Sequence, residues 1–156
     1  MMALCRYLLL VMCMALVACG EDVESEAQVK QAQPKGSLVI EEAYIKQPAP
    51  GQKMGAVYLR ITNSGDEERQ LFAIDSDVAG FAEVHRSFYE DGMRRMRHVK
   101  HLVVSPGQTL TFEPGSYHIM LMDMVQLPEI GKTFPMTLEF NAGEIHTVSV
   151  EVRAVH

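Results

Sequence analysis

Two histidines and two methionines are the residues of this sequence whose types and spacing suggest chemistry: His85, Met96, His118 and Met120. His118 and Met120 lie two apart in the run YHIMLM, residues 117–122, which is typical of a β-strand. Alternate residues of a strand leave the same face, so these side chains would project together, roughly 7 Å apart along the chain. Such a face either packs into a core or presents soft ligands to a metal, and the strand alone leaves both interpretations open.

The other two candidates lie on the arms of a predicted β-hairpin. The segment EDG, residues 90–92, contains the Asp-Gly pair that is the strongest short-range signal for a hairpin turn. His85 precedes this turn and Met96 follows it, so antiparallel pairing would allow the two residues to lie opposite each other. The sequence therefore predicts that a hairpin and a third strand carry the four side chains.

Two imidazoles and two thioethers together favour a soft metal ion. Thioether sulfur is a poor ligand for Mg²⁺, Ca²⁺ or Zn²⁺ but suits Cu(I), as imidazole does. Because Cu(I) has a filled d shell, it accepts a distorted tetrahedron of two nitrogens and two sulfurs. No cysteine follows Cys19, so the thiolate of a blue-copper centre is missing. The set is suited to carrying one Cu(I) ion rather than to transferring electrons.

Three further methionines, Met54, Met93 and Met122, have separate interpretations. Met122 continues the face of the YHIMLM strand, and Met54 follows the loop APGQK. Both are candidates for auxiliary metal ligands, and packing is the alternative for Met122. Met93 lies an odd number of residues from Met96, so it is expected in the core or on the hairpin surface.

Charge and motifs exclude several classes of function. The formal net charge is −6, which argues against a nucleic-acid surface. The basic stretch RRMRHVKH, with His98 and His101, predicts either a solvated face or a docking patch for an acceptor protein. The sequence contains no Ser–His–Asp pattern with supporting turns, no glycine loop for phosphate and no paired-carboxylate signature, so we do not expect an enzyme.

The N-terminal segment indicates export and anchoring. Residues 1–18 read as a signal peptide, because their apolar run of 12 residues is too short to span a bilayer comfortably. The run ends in LVAC, which resembles the bacterial lipobox and predicts lipidation of Cys19; ordinary cleavage after Ala18 is the alternative. Residues 19–36 then form a charged, flexible tether that holds the following domain near the membrane.

Residues 37–156 are expected to form one all-β domain. Short runs rich in β-branched and aromatic residues alternate with turn signals such as NSGDEER, SPGQ and EPGS. No window shows a convincing helical period. This pattern predicts a β-sandwich of about eight or nine short strands.

The spacing of the four candidate ligands resembles the motif of the PCu(A)C family of periplasmic copper chaperones. Ten residues separate His85 from Met96, twenty-one separate Met96 from His118, and one separates His118 from Met120. GAVYLRITNSGDEERQL, AEVHRSFYEDGMRRMRHV and PGSYHIMLMDM also look like the family, so the resemblance covers residues 37–153.

This resemblance implies a cupredoxin-like, Ig-like sandwich that binds Cu(I) on the periplasmic face of a bacterial membrane. It further implies delivery to the binuclear centre of cytochrome oxidase subunit II or another cuproprotein, often alongside a Sco-type thioredoxin-like protein. Many members carry a methionine after the first histidine, where this chain has Arg86, so no auxiliary thioether is expected there. A copper-buffering or resistance protein and a metal-free structural or adhesive lipoprotein stay open as alternatives.

Overall fold

The computed structural model describes residues 38–127 and 129–155, whose regular secondary structure is β-strand apart from one short 3-10 helix, Asn141–Gly143. The predicted signal peptide, Cys19 and the tether lie outside the described residues. No helix within the described ranges is long and apolar enough to cross a membrane. The strands are β1 (Leu38–Lys46), β2 (Met54–Asn63), β3 (Arg69–Asp75), β4 (Phe81–Glu90), β5 (Met93–His98), β6 (Leu102–Val104), β7 (Thr109–Thr111), β8 (Tyr117–Met122), β9 (Thr133–Phe140) and β10 (Ile145–Arg153).

The strands form one hydrogen-bonded path whose two halves share a core. Its order is β5-β4-β8-β2-β1-β10-β9-β3-β6, with β7 also paired to β2. Strands β1 and β10 pair in parallel where the halves meet. Buried side chains from both halves enter one hydrophobic cluster, so the halves pack against each other as the layers of a sandwich.

Alternation between core and surface explains which face of the sheet is free for a site. Ile119 and Leu121 of β8 are fully buried, and so is Val57 of β2. On these strands the intervening residues must therefore point out of the sandwich. The confirmed β-sandwich has ten strands in the described ranges rather than eight or nine. The run GMRRMRHVKHLVV supplies two strands, since β5 ends at His98 and β6 pairs with β3 instead.

The β4–β5 hairpin forms at the predicted turn, in a register that does not place Met96 directly opposite His85. Asp91 and Gly92 both have positive φ, 52° and 75°, as a two-residue type I′ turn requires. This short loop pairs Glu90 with Met93, and it therefore pairs His85 with His98. His85 and Met96 consequently lie diagonally on the hairpin rather than directly opposite each other.

Candidate metal site

The four predicted ligands lie on the outer face of three neighbouring strands. Strand β4 runs between β5 and β8, and its His85 is the direct cross-strand partner of His118. Met96 pairs with Ser87, two residues further along β4. Met120 pairs with Glu83 on the other side of His85. Because these β4 positions alternate, all four side chains belong to one face, opposite the core.

His118 has one ring nitrogen occupied and the other available. Its Nδ1 lies 3.1 Å from the carbonyl oxygen of Ser116. Since a carbonyl only accepts, Nδ1 carries the proton, and Nε2 of the neutral ring keeps its lone pair. Nε2 lies 3.2 Å from Sδ of Met96, which has no proton to donate. Two lone-pair donors thus face each other, an arrangement that a cation between them would stabilise.

The surroundings of His118 favour the neutral ring. His118 is 6% exposed. This burial lowers the pKa of His118, and the nearby charges of His85 and Arg94 act in the same direction, against the opposing hydrogen bond to Ser116. A neutral imidazole is the form that binds metal, so the environment holds His118 ready as a ligand.

His85 shows the complementary arrangement, with a carboxylate on its outer nitrogen. Its Nε2 lies 3.1 Å from Oε2 of Glu83. An ionised carboxylate only accepts, so Nε2 carries the proton. Nδ1 is buried and has no hydrogen-bond partner among the described residues. Metal-binding histidines usually give their second N–H to a carboxylate or a carbonyl, and both His85 and His118 follow this pattern.

Met96, His118 and Met120 line one shallow cavity of about 380 Å³ in the outer face. His85 does not line this cavity, but its ring centroid lies 6.0 Å from that of His118. The exposure is graded, because His118 is buried whereas Met96 is 51% exposed on strand β5. The side of the site nearest solvent is therefore a thioether.

Met54 and Met122 lie on the same outer face but further along the strands. They are cross-strand partners on β2 and β8, and Met122 also pairs with Phe81 of β4. Neither methionine lines the cavity of Met120. Their role as auxiliary ligands stays a prediction.

Arg86 lies on the other face of β4. Its guanidinium carbon sits 5.2 Å from the centre of the Tyr117 ring. The residue that follows His85 on a regular strand must leave the opposite face. A methionine at this position would also leave that face unless the strand were irregular.

Two residues beside the site were not identified from the sequence as part of it. Glu83 was missed, although it precedes His85 by two residues and so shares its face. His98 was assigned to a solvated face or docking patch, but its ring stacks on His85 with 5.7 Å between centroids. Its Nδ1 is 4.0 Å from Oε2 of Glu83. Met93 is exposed, as one of its two predicted placements requires.

Within the part of the chain that the structure describes, no three His, Cys, Asp or Glu side chains are grouped to hold a metal ion. The candidate donor set instead depends on methionine sulfur, as in the contact between His118 and Met96.

Comparisons with known proteins agree with this architecture. A family model described as "Putative lipoprotein LpqE-like" matches residues 38–152. A relative from Leifsonia xyli subsp. xyli, named "Putative lipoprotein Lxx21020", is 28% identical over 141 residues, which is 90% of this chain and 83% of the relative. An uncharacterized protein of Rickettsia prowazekii, RP573, is 32% identical over 98 residues, and the match spans about half of its length (54%) and 62% of this chain.

Similar solved structures include PCuAC domains. The apo PCuAC domain from PmoF1 is 25% identical with a TM-score of 0.65, covering 79% of this chain and 98% of that one. The solution structure of CuI-DR1885 from Deinococcus radiodurans is 25% identical with a TM-score of 0.61, covering 80% and 81%. The copper-bound PCuAC domain from PmoF2, at 21% identity, has the same fold with a TM-score of 0.65 and covers 79% and 97%. The chain is therefore a member of the LpqE-like lipoprotein family, and its β-sandwich is a PCuAC-family domain.

Proposed function

We propose that this domain is a copper chaperone that binds one Cu(I) ion through His85, Met96, His118 and Met120. The observation that carries the proposal is the 3.2 Å contact between Nε2 of His118 and Sδ of Met96. Bonds of about 2.0–2.3 Å to one tetrahedral ion would place nitrogen and sulfur donors about 3.5 Å apart. The two atoms are thus already close to the separation that a shared ion requires.

The donor chemistry supports Cu(I) over harder ions. Two neutral imidazoles and two thioethers bring no negative charge, which Mg²⁺ and Ca²⁺ need from their ligands. Zn²⁺ would gain little from the sulfurs and would depend on the two histidines. The copper-binding relatives CuI-DR1885 and the PmoF2 domain support the same assignment.

The graded exposure of the ligands supports delivery rather than permanent storage. His118 is buried behind the cavity, whereas Met96 is half exposed on strand β5. An incoming ligand from another protein would therefore meet Met96 before it meets the histidines. The acceptor in this proposal is the binuclear copper centre of cytochrome oxidase subunit II or another cuproprotein, with a Sco-type protein as a further partner.

The cellular setting of this proposal comes from the N-terminal segment. Lipidation of Cys19 would anchor the chain to the periplasmic face of a bacterial membrane, with residues 19–36 as the tether. The match to a lipoprotein family supports the lipidated form. A membrane-anchored acceptor would then lie within reach of the domain.

Anaerobic titration of the soluble domain with Cu(I), in competition with a chelator, tests the metal and its ligands. We expect one copper per domain and a much weaker response to Zn²⁺. His118→Ala and His85→Ala should nearly abolish binding, while Met96→Ala and Met120→Ala should leave weakened sites. Met93→Ala is the matched control, because Met93 lies on the same strand as Met96 with a similar exposure, 54% against 51%. Equal losses in the Met93 and Met96 variants would contradict the assignment.

A second measurement separates delivery from its alternatives. Copper-loaded domain is mixed with the purified, copper-free soluble domain of oxidase subunit II, and the copper on each protein is measured over time. Transfer supports a chaperone, and tight binding without transfer supports a buffering protein. The absence of any Cu(I) binding would instead favour a metal-free structural lipoprotein.

A further inference from the structure

The β4–β5 hairpin is a local positive region on an acidic chain. Residues 81–101, the hairpin and the three residues after it, carry five cationic and three acidic side chains, although the whole chain has a formal net charge of −6. Arg95 and Arg97 share a single carboxylate, Glu90, at 3.6 and 3.7 Å. Within residues 38–127 and 129–155, Arg94 forms no ion pair. Much of this positive charge is therefore not neutralised locally.

These cations surround the most exposed ligand of the proposed copper site. Strand β5 lies at the end of the strand order, and all six of its residues are exposed. Met96 lies between Arg95 and Arg97 in sequence, and Arg94 lines the cavity that contains Met96. We call this set, Arg94 to Arg97, the β5 surface.

Charged residues on an edge strand have an ordinary explanation, because they prevent edge-to-edge aggregation. That explanation does not require the charges to be positive, nor to flank a metal ligand. On a protein with a negative net charge, this positive region would attract an acidic partner while the remainder repels it. Such a charge distribution orients the encounter and raises its rate.

We propose that the β5 surface is the docking site for an acceptor protein whose metal-receiving site is bordered by carboxylates. Arg94, Arg95 and Arg97 attract those carboxylates and bring the acceptor's ligands against Met96. The bond between Cu(I) and the exposed thioether of Met96 is the first to be replaced by a bond to an acceptor ligand. This inference rests on the proposed function, and it adds where the acceptor binds and which chemistry it presents.

Salt and charge dependence of copper transfer test the proposal. The variant Arg95→Gln/Arg97→Gln removes two charges of the β5 surface and no proposed copper ligand, so its Cu(I) affinity should match that of the wild type. Because Arg95 borders the cavity, this affinity is measured before transfer is compared. Lys46→Gln/Lys132→Gln is the matched control, since it removes two exposed positive charges outside the hairpin. Transfer to the soluble domain of oxidase subunit II is followed by stopped flow from low to high ionic strength.

At low ionic strength the arginine variant should transfer copper on the order of tenfold more slowly than the wild type, since steering changes association rates by about 10–10³. The lysine variant should match the wild type, and the difference should vanish at high salt. The rate of copper removal by two chelators provides a measurement without a protein partner. Both chelators have the same phenanthroline core, but one is sulfonated and anionic and the other is neutral. Only copper removal by the anionic chelator should slow in the arginine variant.

The other results overturn the docking proposal in distinguishable ways. Equal transfer rates for the arginine and lysine variants at low salt would mean that the arginines serve only to prevent edge-to-edge aggregation. Unchanged transfer together with lost binding to anionic phospholipid vesicles would make the β5 surface a membrane contact. If the wild-type domain binds no Cu(I), the proposed function fails. The docking site is then tested with copper-free domain. It is supported if wild-type domain binds the acceptor in a salt-sensitive way and the arginine variant does not, and it is overturned if the two proteins bind equally.

Discussion

Neutralising Glu83 should weaken copper binding without removing a ligand. Glu83 accepts a hydrogen bond from Nε2 of His85 at 3.1 Å and so directs the lone pair of Nδ1 away from itself. Its negative charge also makes the imidazole a stronger donor. In Glu83→Gln the amide oxygen can still accept this hydrogen bond, so the ring keeps its orientation and only the charge is lost.

Loss of such an outer partner costs about 10–100-fold in metal affinity in general. The side chain of Glu83 is 36% exposed, so solvent screens part of its charge and the lower end applies. We therefore expect Cu(I) to bind about tenfold more weakly to Glu83→Gln, which is about 1.4 kcal/mol. Glu83→Ala should bind still more weakly, because it also removes the acceptor that orients the ring.

The assay is anaerobic competition for Cu(I) with a chelator, with a thermal melt of each copper-free variant. Glu90→Gln is the matched control, since Glu90 lies on the same strand and contacts Arg95 and Arg97 instead of His85. The reasoning is refuted if Glu83→Gln and Glu90→Gln bind Cu(I) equally well. It is also refuted if Glu83→Ala binds as tightly as Glu83→Gln.

Three other results are expected. Because the pKa of His118 lies below its usual value of about 6.5, its protonation opposes the fold. The stability of the copper-free domain should therefore fall as the pH falls below about 6.5, and it should stop falling below the pKa of His118 in the folded state. Thermal melts of the wild type and His118→Ala from pH 7.5 to 5 should show a different dependence of stability on pH. An identical dependence in the two proteins would contradict this expectation. Gly55→Ala should cost about 1–3 kcal/mol in the free energy of unfolding, because its Cβ would lie 2.7 Å from Cδ1 of buried Ile45; denaturant unfolding measures this, and unchanged stability would show that Ile45 moves freely. Cys19→Ser should release the protein from membranes while Cu(I) affinity stays the same, since the proposed ligands all lie beyond residue 84; fractionation checks this, and a variant that stays membrane-bound after signal cleavage would exclude lipidation as the anchor.

The local features of this fold could be predicted because they depend on short stretches of chain. Alternation along YHIMLM was sufficient to place His118 and Met120 on one face. Asp91 and Gly92 were sufficient to predict the hairpin. The pairing of His85 with His98 could also have been found, because a two-residue loop sets the register of both arms.

The sequence by itself determined the β class, the hairpin and a donor set suited to Cu(I), because side-chain chemistry and strand alternation are local properties. Only the tertiary structure placed β8 beside β4, which are separated along the chain by β5, β6 and β7. Their pairing depends on a core assembled from both halves of the sheet. The tertiary structure also decided the partners of each imidazole, since Ser116, Glu83 and Met96 reach the two rings only once the strands are aligned.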